Sequence, residues 1–141
     1  MTSVARHRDI DCRVIEAVSA GDTSALDDLL HPDMVDHNPM PNQPAGRGGF
    51  KAWMAAVRSS FPDFSAAVQT VLGEGDLVAG HVIWRGTQRG PFLGLPVTDR
   101  PVSVKAFHIV RFSDELIVEW WGTADLLGAA QQLDAQIVPS P

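Results

Sequence analysis

Ionisable side chains lie inside an unusually apolar stretch, residues 101–125, and they are of the types that move protons. His108, Glu119 and Asp125 are the three candidates for catalysis. Burying such a group without a partner costs free energy, so its presence in an apolar segment indicates a functional site. Histidine is the side-chain type whose charge changes near neutral pH. We therefore expect acid/base chemistry with His108 as the central group and Glu119 or Asp125 orienting it.

Each candidate also has a structural interpretation. Taken without any family resemblance, His108 is better explained as a core histidine that hydrogen-bonds to backbone, and Asp125 as the N-cap of a following helix. The role of Glu119 depends on the hairpin register. A two-residue turn makes it a diagonal neighbour of His108, at about 7–8 Å between backbones. A three-residue loop moves Glu119 to the other face, beside Arg111, where a structural salt bridge is expected.

The stretch itself has the pattern of a β-hairpin, in which two apolar runs flank the polar turn Ser113-Asp114-Glu115. Along the first run, Val102 to Phe112 at even positions form one face, which includes His108. Both faces carry apolar residues, so both are expected to pack against something. The adjacent Trp120 and Trp121 must point to opposite faces. Covering the second face predicts a homo-oligomer, either a dimer or a tetramer.

The other patterns of the chain predict an α+β fold. We expect helices on one side of a curved antiparallel sheet, with an apolar pocket between the layers that suits a small ligand. The predicted order is α-α-β-α-β-β-β-β-α, and the predicted elements are helix 3–20, a short helix from Asp22 to His31-Pro32, strand 34–38, a helix from Gly48 to near Phe61, strands 64–72 and 76–87, the hairpin, and helix 124–133.

Length and composition exclude several classes of function. The 141 residues predict one domain over 1–141, with 135–141 as a frayed tail. The net charge of −6, without any Lys/Arg cluster, argues against nucleic-acid binding. No apolar run approaches the length of a membrane span, so a cytoplasmic protein is expected. A single cysteine, Cys12, excludes an internal disulfide and a cysteine-based zinc site, and no close histidine pair indicates another metal site.

Several short motifs keep the order and spacing of a known family, over roughly residues 10–133. In these motifs the chain resembles the SnoaL-like polyketide cyclases, which belong to the NTF2-like superfamily of α+β cones. The matching pieces are Asp36-His37-Asn38-Pro39, residues 48–53, Phe61-Pro62-Asp63-Phe64, residues 90–96, Arg111-Phe112, residues 117–121, residues 125–128 and Gln131-Gln132-Leu133.

The resemblance implies a pocket that works without a cofactor or a metal. Family cyclases close a ring by intramolecular aldol condensation of a polyketide ester, an apolar, carbonyl-bearing small molecule. The reaction needs a base beside an acidic carbon and a donor, such as a His or Trp N–H, that stabilises the enolate. The family match favours His108 facing the pocket and His37 near its mouth. Substrate contacts are then expected from His37, Phe50, Trp53 and Trp121, although Phe50 and Trp53 also fit a helix core.

The chain departs from the family pattern at two positions. Gly122 stands where several cyclases carry an Asp, and Glu115 stands where many members have a glycine in the turn. The missing Asp keeps two alternatives open. One is a non-catalytic binding protein that uses the same pocket, and the other is a different reaction there, such as isomerisation, hydrolysis or hydroxylation. A carboxylate within hydrogen-bonding reach of His108 in the pocket would favour the enzyme.

Overall fold

The computed structural model describes residues 2–136 and 138–141. The predicted tail 135–141 includes position 137, which lies outside the described residues. None of the helices in the described part of the chain is long and apolar enough to cross a bilayer. In chain order the elements are α1 (Ser3–Ala20), a 3-10 helix (Ala25–Asp28), β1 (Leu30–Asp36), α2 (Gly46–Ser60), β2 (Ser65–Glu74), β3 (Leu77–Thr87), β4 (Pro101–Ser113), β5 (Leu116–Ala124) and α3 (Leu126–Gln132).

The five strands form one curved sheet in the order β1-β5-β4-β3-β2, with helices on one face. This confirms the α+β class and the predicted element order. One pairing differs from the antiparallel prediction, because β1 runs parallel to β5 while the other three pairs are antiparallel. No hairpin joins β1 to β5, so no turn dictates their relative direction.

Strand β4 shows how the sequence sets the two faces of the sheet. Its even-numbered residues from Val102 to Phe112 are buried, and its odd-numbered residues are exposed or half-buried. The predicted alternation is therefore confirmed. The buried face packs on α1, α2 and α3 in one apolar core, whose members include Val14, Val18, Leu26, Met34, Phe50, Met54, Val78, Val110 and Ile117.

Helix α1 lies over the sheet with one buried stripe. Its N-cap is Thr2, whose hydroxyl accepts the N–H of Ala5 at 3.1 Å, and Gly21 ends it in the left-handed conformation. The stripe contains apolar residues at helical spacing and one carboxylate, Asp11, which is 0% exposed. A fully buried aspartate needs a partner, because an unpaired buried charge is very costly.

The first strand begins earlier than the residue pattern predicts. The N-cap of the short helix is Ser24 rather than Asp22, although Asp22 Oδ1 accepts from the Ala25 N–H and the Ser24 hydroxyl. That helix ends at Asp28, however, and His31-Pro32 lies inside β1 rather than at a helix end. Because β1 is an edge strand, a proline there need not break a ladder of hydrogen bonds.

The hairpin combines a two-residue turn with a bulge. Ser113 pairs with Leu116 across Asp114-Glu115, and Phe112 pairs with Ile117. The register then shifts, so that Arg111 lies opposite Glu119. The extra residue on β5 moves Glu119 to the outer face even though the turn has the shorter of the two expected lengths.

Candidate active site

A cavity of about 540 Å³ lies between the sheet and the helices. Its wall is mainly apolar and aromatic, and the segment 40–44 contributes to it between β1 and α2. Such a cavity suits an apolar small molecule held by a few polar groups. The side chains at its wall include Phe50, Trp53, Phe61, Phe64, Val82, Trp84, Phe92, Val104, His108 and Trp120.

His108 is the buried ionisable group of this wall, and its partner is Asp11 on α1. The imidazole Nε2 lies 2.9 Å from both carboxylate oxygens, and the two side chains are 5% and 0% exposed. The contact joins positions 97 apart in the chain. It gives the buried carboxylate its required partner and fixes the orientation of the ring.

This contact also selects the histidine tautomer. A carboxylate accepts hydrogen bonds, so Nε2 carries the hydrogen that it donates to Asp11. In the neutral ring Nδ1 is then unprotonated, and it is the nitrogen left to exchange a proton with a ligand. This is the geometry in which a carboxylate orients a histidine base and stabilises its imidazolium form.

Glycines flank His108 on both neighbouring strands. Gly80 of β3 and Gly122 of β5 are its cross-strand partners. A Cβ on Gly80 would lie 2.6 Å from His108 Nε2, closer than real Cβ contacts come. The ring also stacks on Trp120, with centroids 4.7 Å apart and planes at 22°. Contacts with Gly80, Trp120 and Asp11 therefore restrict the position of the imidazole.

Glu119 is not the partner of His108, which corrects the first of our orienting candidates. Its Oε2 accepts from Arg111 Nε at 3.0 Å, and its Oε1 lies 3.8 Å from His37 Nε2. Arg111 also donates to Asp76 at 2.9 Å. The hydrogen bonds to Asp76 and then Glu119 raise the pKa of Arg111. These groups form an ion-pair network on the outer face, as the salt-bridge interpretation expects.

Asp125 is also separated from His108 and caps α3. Its Oδ1 accepts the Gly128 N–H at 2.8 Å, which is the helix-capping role given as its alternative interpretation.

The predicted pocket contact of His37 is corrected too. Its ring stacks on Trp121 at 4.5 Å between centroids, on the face of the sheet away from the cavity. Trp121 shares that face, because it follows the inward-pointing Trp120.

Phe50 and Trp53 line the cavity, and their rings lie 5.5 Å apart. Residue patterns missed Asp11 and Trp120. Asp11 gave a readable signal, since it is a carboxylate one position after Ile10 and three before Val14, within the apolar stripe of α1.

Within residues 2–136 and 138–141, no three His, Cys, Asp or Glu side chains converge as a possible metal site.

Comparison with known proteins identifies the family of this chain. The family model described as SnoaL-like polyketide cyclase matches residues 8–133. Nogalonic acid methyl ester cyclase of Streptomyces nogalater is 27% identical over 124 residues, which are 85% of this chain and 91% of that protein. The structure of TsrD from Streptomyces laurentii superposes with a TM-score of 0.87 and 30% identity, covering 96% of this chain and 100% of that one. Wild-type IdmH of Streptomyces antibioticus, a candidate polyketide cyclase, gives a TM-score of 0.81 and 33% identity, covering 92% and 99%. The chain therefore belongs to the SnoaL-like polyketide cyclase family.

Proposed function

We propose that this protein is a cyclase that closes a ring by intramolecular aldol condensation of a polyketide ester, with Asp11 and His108 as its acid/base pair. One observation carries the proposal: a histidine on the wall of an apolar cavity donates Nε2–H to a fully buried carboxylate. The relative whose name specifies nogalonic acid methyl ester supports an ester of this kind as the substrate class.

In the proposed reaction, Nδ1 of His108 removes a proton from the carbon between two carbonyl groups. The electron pair of that C–H bond passes into an enolate, whose carbon attacks a ketone carbon of the same molecule. A C–C bond forms, the ketone oxygen becomes an alkoxide, and the imidazolium returns its proton to that oxygen. Asp11 stabilises the imidazolium between the two transfers, so no proton is gained or lost.

The contact with Asp11 also bears on the alternative of a non-catalytic binding protein. Gly122 favours that alternative, because several cyclases carry an Asp at this position. A binding pocket has no need, however, of a buried carboxylate that sets the tautomer of a histidine on its wall. The burial of both partners favours the enzyme, because removing two ionisable groups from water is costly unless function requires it.

The test compares His108→Ala and His108→Gln with the wild type, using nogalonic acid methyl ester as the first substrate and chromatography with mass detection of the product. Loss of a positioned acid/base group typically lowers the rate about 10²–10⁴-fold. Both variants should lose turnover and keep their circular-dichroism spectrum, and His31→Gln, in β1, serves as the matched control. Near-wild-type turnover in both variants would remove His108 from the mechanism. Binding without conversion by the wild type, across a panel of polyketide esters, would favour the binding protein.

We also propose that the outer face of the sheet binds a second copy of the chain. Large apolar side chains on this face are strongly exposed, with Leu72 at 65%, Phe107 at 51% and Ile109 at 46%. The charges beside them are already paired with one another, since Arg111 contacts both Asp76 and Glu119. An apolar surface with internally paired charges fits an identical surface related by a two-fold axis better than it fits a charged partner.

A further inference from the structure

We infer that Trp120 and Asn38 form an oxyanion-binding site around Gly122, which holds a negatively charged oxygen of the ligand beside His108. The chemical role as an enolate site rests on the proposed function. The location of the site rests on the geometry of Trp120, Asn38 and Gly122. That geometry does not depend on whether the protein catalyses a reaction.

Gly122 has no side chain at the position directly across from His108 on the wall of the cavity. The two residues are cross-strand partners on β5 and β4, so a side chain at position 122 would point to the same face as the imidazole. A Cβ there would lie 2.8 Å from Nε1 and 3.3 Å from Cδ1 of Trp120. The N–H edge of the indole therefore occupies the space that a side chain at 122 would take.

The Trp120 ring is held firmly, yet its polar atom is unused. It stacks on His108 and packs at 5.0 Å against Phe50, so two neighbours fix its plane. Among the described residues, none accepts a hydrogen bond from its Nε1–H. The indole N–H can only donate, and a donor on a cavity wall without an acceptor gains most from a ligand that supplies one.

Asn38 places a second donor next to the same glycine. Its Oδ1 accepts the Gly122 N–H at 3.1 Å, and its own backbone N–H donates to Asp36 Oδ1 at 3.0 Å. With the carbonyl end fixed in this way, the NH₂ end is the part left free to donate. Asn38 lines the cavity together with Trp120 and Gly122.

Two neutral donors beside one base are the arrangement that an enolate needs. Neutral N–H groups aimed at developing negative charge stabilise it without exchanging a proton. His108 can then move protons while the oxygen stays bound at Gly122. The ligand class that follows is a compound with an enolate or phenolate oxygen, and the same site would distinguish it from a neutral molecule of equal size.

Phenolate binding tests this inference without requiring turnover. The probe is 4-nitrophenol, titrated by absorbance at a pH at which it is ionised, with 4-nitrotoluene as the neutral comparison in calorimetry. Trp120→Phe keeps a stacking ring and removes the N–H. It should weaken 4-nitrophenolate binding about 10- to 100-fold and leave 4-nitrotoluene binding unchanged. Trp121→Phe, on the face of the sheet away from the cavity, should change neither, and Asn38→Leu should weaken only the phenolate.

The outcomes separate this inference from the proposed function. Equal binding of 4-nitrophenolate by wild type and Trp120→Phe would overturn the site, as would a wild type that does not favour the phenolate. A loss of phenolate binding in His108→Gln but not in Trp120→Phe would also overturn it, because the imidazolium would then be the anion binder. If no polyketide ester is converted while Trp120→Phe still loses the phenolate selectively, the oxyanion site stands and the cyclase proposal fails.

Discussion

Gly80 and His108 face each other across β3 and β4, and the imidazole fills the space that a side chain at position 80 would need. Gly80→Ala should therefore displace the ring from Asp11. We expect turnover to fall at least tenfold and the free energy of unfolding to fall by about 1–3 kcal/mol, the usual effect of overpacking. Turnover and urea unfolding measure the two effects. Gly48→Ala is the control, because nothing lies within 4 Å of a Cβ at that position; equal turnover in both variants would contradict the prediction.

Asp11→Asn should lower kcat and leave KM nearly unchanged. The amide keeps the shape of the carboxylate but cannot stabilise the imidazolium with a negative charge. The expected loss is about 10- to 100-fold, since a hydrogen bond to a charged group contributes about 1.5–3 kcal/mol. Nitrogen-15 NMR of the His108 ring provides a direct readout, because the Nε2–H tautomer should lose its predominance. An unchanged ring spectrum together with unchanged kcat would rule out Asp11 as a positioning residue.

Glu119→Gln is the counterpart of that substitution on the outer face. Glu119 contacts Arg111 and His37, and its side chain is 31% exposed. We expect turnover within about twofold of wild type and a stability change of about 0–1 kcal/mol, which is usual for partly exposed ion pairs. Steady-state kinetics and thermal unfolding test this. A fall in kcat as large as that of Asp11→Asn would show that Glu119 takes part in the reaction and would contradict this prediction.

Asp63→Asn should remove part of the acid sensitivity of the fold. The backbone N–H and the hydroxyl of Thr87 donate to Asp63 at 2.7 and 2.8 Å, and they lower its pKa from the ordinary value of 3.8. The stability that this provides is fully present above pH 3.8 and is lost as the pH falls through the lower pKa of the folded state. Urea unfolding should show wild type more stable than Asp63→Asn near neutral pH, with the difference vanishing in strong acid. The exposed Asp33→Asn is the control, and a pH-independent difference would contradict the assignment.

Phe107→Glu should dissociate the proposed dimer. A carboxylate in the middle of an apolar contact loses its hydration without gaining a partner. Light scattering should give about twice 15.2 kDa for wild type and 15.2 kDa for the variant. Leu127→Glu on α3, which is 49% exposed, is the matched control and should leave the mass unchanged. A monomeric wild type at micromolar concentration would contradict the dimer.

The sequence alone predicted the α+β class and the grouping of the even-numbered residues of β4 on one face, because a strand alternates its side chains and the residues from Val102 to Phe112 at even positions are apolar except for His108. It predicted His108 on that face for the same reason. The partner of His108 could not be read in this way, since the contact with Asp11 depends on how α1 docks against the sheet. A bulge in β5 decided the face of Glu119, and no local pattern marks a bulge of this kind. The roles of His108, Phe50 and Trp53 toward a substrate stay predictions.

The span of 97 positions between Asp11 and His108 has a consequence for biosynthesis. Helix α1 leaves the ribosome long before β4 is synthesised. Asp11 therefore cannot contact His108 until most of the chain has been made. A truncated or partly folded chain cannot hold the histidine in the correct tautomer. Activity should therefore appear only with the last cooperative step of folding. In a cell, the measured activity would then count only the chains that have been fully synthesised and correctly folded.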